Sequence, residues 1–142
     1  MKTFYFPLET LLKVKHQAAQ KFQVEVAQLQ SNLKYLNQDY ENLRLEITSL
    51  EKEWNGSRSK GKFKQEDQFL QFFKTLQTRQ KKLQKQIQDA RETLEATQRK
   101  AEKALHERKT IEKLKEKHYS QWKRTYDRAE HDETAFSTLE DT

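Results

Sequence analysis

Apolar residues recur along this chain at alternating spacings of three and four residues, in two stretches separated by a short polar segment. The first stretch consists of Leu8, Leu12, Ala19, Phe22, Val26, Leu29, Leu33, Leu36, Tyr40, Leu43, Ile47, Leu50 and Trp54. The second consists of Phe69, Phe73, Leu76, Leu83, Ile87, Ala90, Leu94, Ala101, Ala104 and Ile111. A repeat of about 3.5 residues that continues for about six heptads is typical of a coiled coil. The pattern therefore predicts an all-α fold, a long antiparallel two-helix coiled-coil hairpin.

Polar residues interrupt this repeat at four positions, which are Lys15, Gln80, Thr97 and Arg108. In an antiparallel pair, each a position of one helix faces a d position of the other. If the numbers of facing residues sum to 123, every layer obeys this rule, and Lys15 shares a layer with Arg108. A shift of one heptad, to a sum of 116 or 130, obeys the rule as well. The periodicity alone therefore leaves the register open.

The ends of the helices are predicted from proline and glycine. Pro7 is tolerated in a first helical turn, and both glycines of the chain lie between Asn55 and Gly61. We expect a single coiled-coil hairpin over residues 1–142, with helix one at about 5–54, the tip at 55–64, helix two at about 65–130 and a frayed tail at 131–142. Truncation of Leu29 or Leu94, in the middle of the seam, is expected to cost more stability than truncation near the ends.

Composition excludes most other classes of protein. Apolar residues make up 33% of the chain and charged residues 35%, which is too little for a globular core but enough for one seam. No apolar run approaches the roughly 18 residues of a membrane span, and the first residues lack the apolar region of a signal peptide. The chain has no cysteine, which fits a reducing compartment. We therefore expect a cytoplasmic protein.

The sequence offers little for catalysis. It contains no glycine-rich phosphate loop, no His-Glu-x-x-His motif and no Gly-x-Ser-x-Gly motif. The four histidines include no pair at the i, i+3 or i, i+4 spacing that directs two imidazoles toward one metal ion. We therefore expect that the protein is not an enzyme and that it binds neither a metal nor a cofactor.

Positive charge is concentrated in the second helix. Residues 60–128 carry 20 Lys/Arg and 10 Asp/Glu, whereas residues 129–142 carry no Lys/Arg and five Asp/Glu. A basic helix could bind nucleic acid through its phosphates, but here the cations alternate with acids and no aromatic stacking platform is present. An acidic protein partner or a merely solvated face is favoured over nucleic acid.

Apolar side chains outside the repeat are candidate partner-binding residues. Near the tip these are Phe63, Leu70 and Phe72. At the open end of the hairpin they are Phe4, Phe6, Leu11, Tyr119, Trp122 and Tyr126. Two structural alternatives compete with binding: the tip residues could widen the seam around Trp54, and the segment Phe4–Phe6 could fold back over the aromatic residues of helix two.

The first residues of the chain carry a resemblance to a known family. The opening Phe4-Tyr5-Phe6-Pro7-Leu8-Glu9-Thr10-Leu11-Leu12-Lys13-Val14-Lys15 contains Phe-x-Phe and Leu-x-x-Leu-Leu followed by a basic residue. This motif resembles the start of FliJ-type flagellar proteins. The length, the basic charge, the glycine-containing turn, the Phe-rich restart and the late Asp132-Glu133-x-Ala135 are also similar to that family.

This resemblance implies a soluble component of the flagellar type III export apparatus, a stalk-like coiled coil at the inner face of the cell membrane. Its implied partners are the hexameric export ATPase, the membrane export gate and export chaperones, with the chain itself a monomer and peripheral to the membrane through its partners. The resemblance would place the ATPase at the open end, leaving the gate or a chaperone for the tip. The alternatives are the equivalent stalk protein of a virulence secretion system, an unrelated basic coiled-coil adaptor, and a nucleic-acid-binding protein.

Overall fold

The computed structural model describes residues 3–61 and 66–140, and the side chains of residues 3–61 and 66–134. It contains two helices, α1 over Glu9–Ser59 and α2 over Glu66–Glu140, which pack against each other. The described residues include no β-strand. The predicted all-α helical hairpin is therefore confirmed. The contacts group the described residues into two compact units. One unit combines the residues up to Gln23 with those from Lys100 onward, and the other is Val24–Arg99.

The seam of the hairpin contains the residues that the repeat predicts. From Leu12 to Trp54 and from Phe69 to Ile111, every a and d residue is buried or half-buried. This includes the polar exceptions, of which Thr97 is buried and donates a hydrogen bond from its hydroxyl to the carbonyl of Thr93. A threonine satisfied in this way adds no unpaired polar group to the seam.

Polar contacts between the helices identify the register within each unit. They join Lys15 to Glu107, Glu9 to Lys115, His16 to Arg108, and Tyr40 to Gln84. The residue numbers in these pairs sum to between 122 and 124. Contacts at such sums agree with the register of 123 and disagree with 116 and 130.

The most deeply buried apolar cluster lies within the unit Val24–Arg99, toward the tip. Leu43, Leu50 and Leu76 form its centre, and the last of these is only 1% exposed. Partly buried side chains pack around them, namely Ile47, Phe69, Phe73 and Leu83. Leu29 and Leu94, by contrast, are only half-buried. The most sensitive layers therefore lie nearer the tip than the periodicity predicted.

The start of α1 is later than the expected residue 5. Phe6 precedes a proline, which disfavours helical backbone at that residue. The structure has a turn there instead, in which the N–H of Glu9 donates to the carbonyl of Phe6 at 3.1 Å. The helix begins at Glu9 as a result.

The ends of both helices lie beyond the positions expected from sequence. α1 continues through Gly56 to Ser59, because one glycine in a helix weakens it without ending it. The helix ends before Gly61, which has a φ of 72° and donates its N–H to the carbonyl of Arg58 at 3.0 Å. α2 continues past the expected end near residue 130, since residues 129–142 contain neither glycine nor proline.

The two glycines should respond oppositely to alanine substitution. Neither position has a neighbouring atom within 4 Å of an added Cβ, so backbone conformation decides the outcome. Gly56→Ala should raise the free energy of unfolding by up to about 1 kcal/mol, because alanine favours the helix. Gly61→Ala should lower it by about 1 to 2 kcal/mol, because alanine is strained at positive φ. Chemical denaturation followed by circular dichroism measures both, and a shift in the same direction would contradict the assigned end of α1.

Leu76→Ala should be more destabilising than any truncation in the half-buried part of the seam. A fully buried leucine costs about 2 to 5 kcal/mol when it is replaced by alanine, because transfer and cavity terms add. Leu29→Ala is the matched control, since it removes the same atoms from a half-buried site. Equal or larger destabilisation by the control, in the same denaturation assay, would show that Leu76 is not at the centre of the apolar cluster.

Candidate partner-binding surfaces

At the open end, the N-terminal segment folds back onto α2. The ring of Phe4 lies 5.3 Å from that of Tyr119, edge to face at 83°, and 5.8 Å from that of Trp122. Phe6 lies 5.6 Å from the ring of His118 and is 3% exposed. The fold-back that the sequence offered as an alternative to binding at this end is therefore present in the structure. We call Phe4, Phe6, Tyr119, Trp122 and Tyr126 the open-end cluster.

The aromatic residues of α2 form a stacked row within this cluster. Tyr119 and Trp122 are 5.9 Å apart at 29°, and Trp122 and Tyr126 are 5.4 Å apart at 16°. Spacings of three and four residues place the three rings on one side of the helix. Trp122 and Tyr126 are half-buried, whereas Tyr119 is 46% exposed. The row therefore combines internal packing with an accessible aromatic surface.

Two predicted residues of the open end differ from the rest. Phe6 packs inward, so its side chain is not accessible for direct contact with a partner, which corrects its placement on the binding surface. Leu11 is exposed, but the heptad frame puts it at position g, whereas Tyr119 and Tyr126 occupy position e on the other edge of the seam. Leu11 is therefore part of a different face.

Two exposed residues of this end were missed by sequence reasoning. Tyr5 is 79% exposed, and the alternation of an extended segment could have indicated this, because the side chains of Phe4 and Phe6 point the opposite way. Val14 is exposed three residues after Leu11, a spacing that places both on one helical face.

Charged residues cross the seam next to the open-end cluster. The Lys15 Nζ lies 3.0 Å from a Glu107 carboxylate oxygen, and this hydrogen bond and charge lower the pKa of Glu107. The Lys115 Nζ lies 2.7 Å from a carboxylate oxygen of Glu9. Both pairs join α1 to α2, so they stabilise the hairpin rather than provide free charge for a partner.

Arg108 is the least well satisfied of the polar seam residues. Its guanidinium lies 3.5 Å from His16 Nδ1, which is a weak contact. Its Nε is buried without a hydrogen bond among the described residues, and the nearest carboxylate oxygen, of Glu112, is 3.4 Å away. The aliphatic part of the side chain fills the seam while the charged end reaches its edge.

At the tip, the apolar surplus remains at the surface. Leu70 is 39% exposed and Phe72 is 46% exposed. We call these two residues the tip patch; the heptad frame puts Leu70 at position e and Phe72 at position g, on opposite edges of the seam. Phe72 also lines a shallow cavity of about 170 Å³ together with Leu50, Gln68 and Phe69. The Trp54 ring lies 6.2 Å from that of the seam residue Phe73. Phe63, the third predicted residue at the tip, lies outside the described residues.

Metal-binding clusters and membrane-spanning helices are absent from the part of the chain that the structure describes. Among the described residues, no group of three or more His, Cys, Asp or Glu could hold a metal ion. No helix in that part of the chain is both long enough and apolar enough to cross a membrane.

The chain matches a known protein family. Residues 4–135 match the family model described as the flagellar FliJ protein, and this range covers nearly the whole chain. No curated protein and no solved structure matches the chain.

The pair of Lys15 and Glu107 should make the stability depend on pH. A carboxyl whose folded pKa is lowered contributes stability above its unfolded pKa, near the ordinary 4.5, and loses this contribution as pH falls through the folded pKa. Glu107→Gln should therefore lower the thermal midpoint at neutral pH, and the difference from the unmodified chain should vanish in acid. Glu102→Gln is the control, because Glu102 has no ion pair among the described residues. A difference for Glu107→Gln that stays constant from pH 7 to strong acid would contradict the pairing.

Proposed function

This chain belongs to the FliJ family of flagellar proteins, and on that premise we propose that it is a soluble stalk-like coiled coil of the export apparatus. The family is a non-enzymatic component of that apparatus, and the chain is accordingly a protein associated with flagellar type III export. The proposed role is to link the hexameric export ATPase to the membrane export gate and to export chaperones. The site of action is the cytoplasm, at the inner face of the cell membrane.

The observation that carries this proposal is the extent of the family match. Residues 4–135 include the whole of α1 and most of α2, so the match covers the hairpin itself rather than one motif. A long coiled-coil hairpin is suited to joining proteins. The paired helices leave side-chain surfaces on two sides of one seam.

Two chemically different surfaces support a role with more than one partner. The accessible side chains of the open-end cluster are aromatic, and we assign them to the ATPase ring. The tip patch has Leu70 on one edge of the seam and Phe72, beside a shallow cavity, on the other, and we assign it to the export gate or a chaperone. The two surfaces belong to different compact units. Each can therefore be altered without changing the residues of the other.

Replacement of both tip residues should abolish one interaction and preserve the fold. The chain with Leu70→Ser and Phe72→Ser should keep its helicity, because neither residue occupies an a or d position and both are exposed. Binding to the purified export gate domain or to a chaperone should fall by about tenfold or more, as expected when an anchor residue is removed. Binding to the ATPase should be unchanged, and a deletion strain complemented with this variant should lose motility.

The matched control is Val24→Ser with Leu45→Ser, because both are exposed apolar residues of the same unit outside the seam. This variant should bind all partners and restore motility. Unfolding of the tip variant would show that Leu70 and Phe72 are seam packing. Normal motility with every partner bound would show that the tip patch is not a docking surface. A deletion strain that swims normally would contradict the proposed function itself.

A further inference from the structure

The stretch of α2 from Gln68 to Gln88 contains no acidic residue. It carries five cations, which are Lys74, Arg79, Lys81, Lys82 and Lys85. The acids that flank it are Asp67 before and Asp89 after. From Asp89 to Arg128, by contrast, acidic residues are interspersed among the cations. This stretch is therefore a local concentration of positive charge on one helix.

Three of these cations form a single stripe. Lys74, Lys81 and Lys85 are separated by seven and four residues, a spacing that places them on one side of the helix. All three are exposed, and none makes an ion pair within the described part of the chain. Lys15 and Lys115 differ in this respect, because each is paired with a glutamate across the seam.

The other two cations have acids nearby. Arg79 and Lys82 line a groove of about 440 Å³ whose opposite wall includes Asp39 and Glu46 of α1. These carboxylates oppose the positive potential of the groove, although they form no ion pair within 4.0 Å. Lys74, Lys81 and Lys85, at heptad positions b and f, face away from α1 and its carboxylates. Of these three, only Lys85 has an acid one turn away on α2, Asp89, with which it forms no ion pair among the described residues.

An exposed apolar residue stands at one end of this stripe. Leu70 precedes Lys74 by four residues, so it lies one turn along the same side of α2, and it is partly exposed. From Leu70 to Lys85 the stripe is about 22 Å long at 1.5 Å per residue. It thus combines one apolar contact with three cations over about four helical turns.

We infer that this stripe, defined as Leu70, Lys74, Lys81 and Lys85, docks an acidic helical segment of a protein partner. The inference rests on the proposed function, because it names the chemistry of the partner that contacts the tip. One apolar side chain of that segment packs against Leu70, and carboxylates at spacings of about seven and four residues pair with the three lysines. Complementary charge of this kind fixes orientation and speeds association.

The geometry favours a protein helix over a nucleic acid or a membrane. Duplex binders commonly make about 6 to 10 phosphate contacts, and membrane-surface helices bury a broad apolar face. Three lysines in line with one leucine provide neither.

Charge reversal along the stripe tests the inference. The chain with Lys74→Glu, Lys81→Glu and Lys85→Glu should keep its helicity and lose binding to its tip partner by about tenfold or more, since three favourable pairs become repulsive. Arginine at the same three positions should retain binding. The matched control is Lys109→Glu, Lys113→Glu and Lys117→Glu, which makes the same charge change at exposed sites of the other unit and should bind normally.

Zero-length carbodiimide crosslinking identifies the chemistry of the partner. The full chain is mixed separately with the purified cytoplasmic domain of the export gate and with each purified export chaperone. Peptides that join Lys74, Lys81 or Lys85 to an aspartate or glutamate of one such protein are the expected result. The absence of these crosslinks from every mixture would overturn the inference. The unmodified chain could instead bind duplex DNA or anionic phospholipid vesicles, with the glutamate variant losing this binding and no carboxylate crosslinks forming. That result would overturn the inference and identify the polyanion, not a protein helix, as the ligand of the stripe.

Motility separates this inference from the proposed function. A deletion strain that swims normally contradicts the proposed function. In that case the crosslinking experiment alone decides whether the stripe docks an acidic protein segment. A non-motile deletion strain that recovers with the glutamate variant as fully as with the unmodified chain contradicts only the docking stripe. Recovery with the arginine variant and the control, but not with the glutamate variant, is the expected outcome.

Discussion

The fold depends on one seam between α1 and α2, because two helices have no third element against which another apolar face could be buried. Leu43, Leu50 and Leu76 occupy its most buried part. Apolar side chains at other heptad positions stay at the surface unless a segment outside the helices covers them. Phe4 and Phe6 provide such a cover at the open end, whereas the tip patch remains exposed. The candidate surfaces are thus a direct consequence of having a single seam.

Polar residues in this seam make its register specific. At a sum of 130, Lys15 would face Lys115, and at a sum of 116 Arg108 would face Leu8. The first arrangement places like charges together and the second places a guanidinium against leucine, so both are disfavoured. In the structure Lys15 pairs with Glu107 instead. Apolar periodicity permits several registers, and the charged layer distinguishes among them.

The two candidate surfaces rest on different physical interactions. At the open end, stacked aromatic rings provide apolar area with fixed geometry and few rotatable bonds. At the tip, a smaller apolar patch continues into unpaired lysines, so that charge contributes to orientation and association rate. A chain that contacts several proteins in one apparatus benefits from such a difference, since a partner suited to one surface lacks complementarity to the other.

The sequence by itself determined the hairpin and the seam residues, because a seven-residue period assigns the a and d positions of a helix to the buried side. It left open whether Leu70 and Phe72, which flank the seam, widen it or stay exposed, and the structure shows them exposed. The sequence also did not determine the burial of Phe6, which precedes α1 and has no helical period to place it. Only the tertiary structure decided that position, through contact with His118 on α2. It likewise decided that α1 ends at Ser59 rather than at Trp54, because composition shows where glycines lie but not which of them adopts a positive φ.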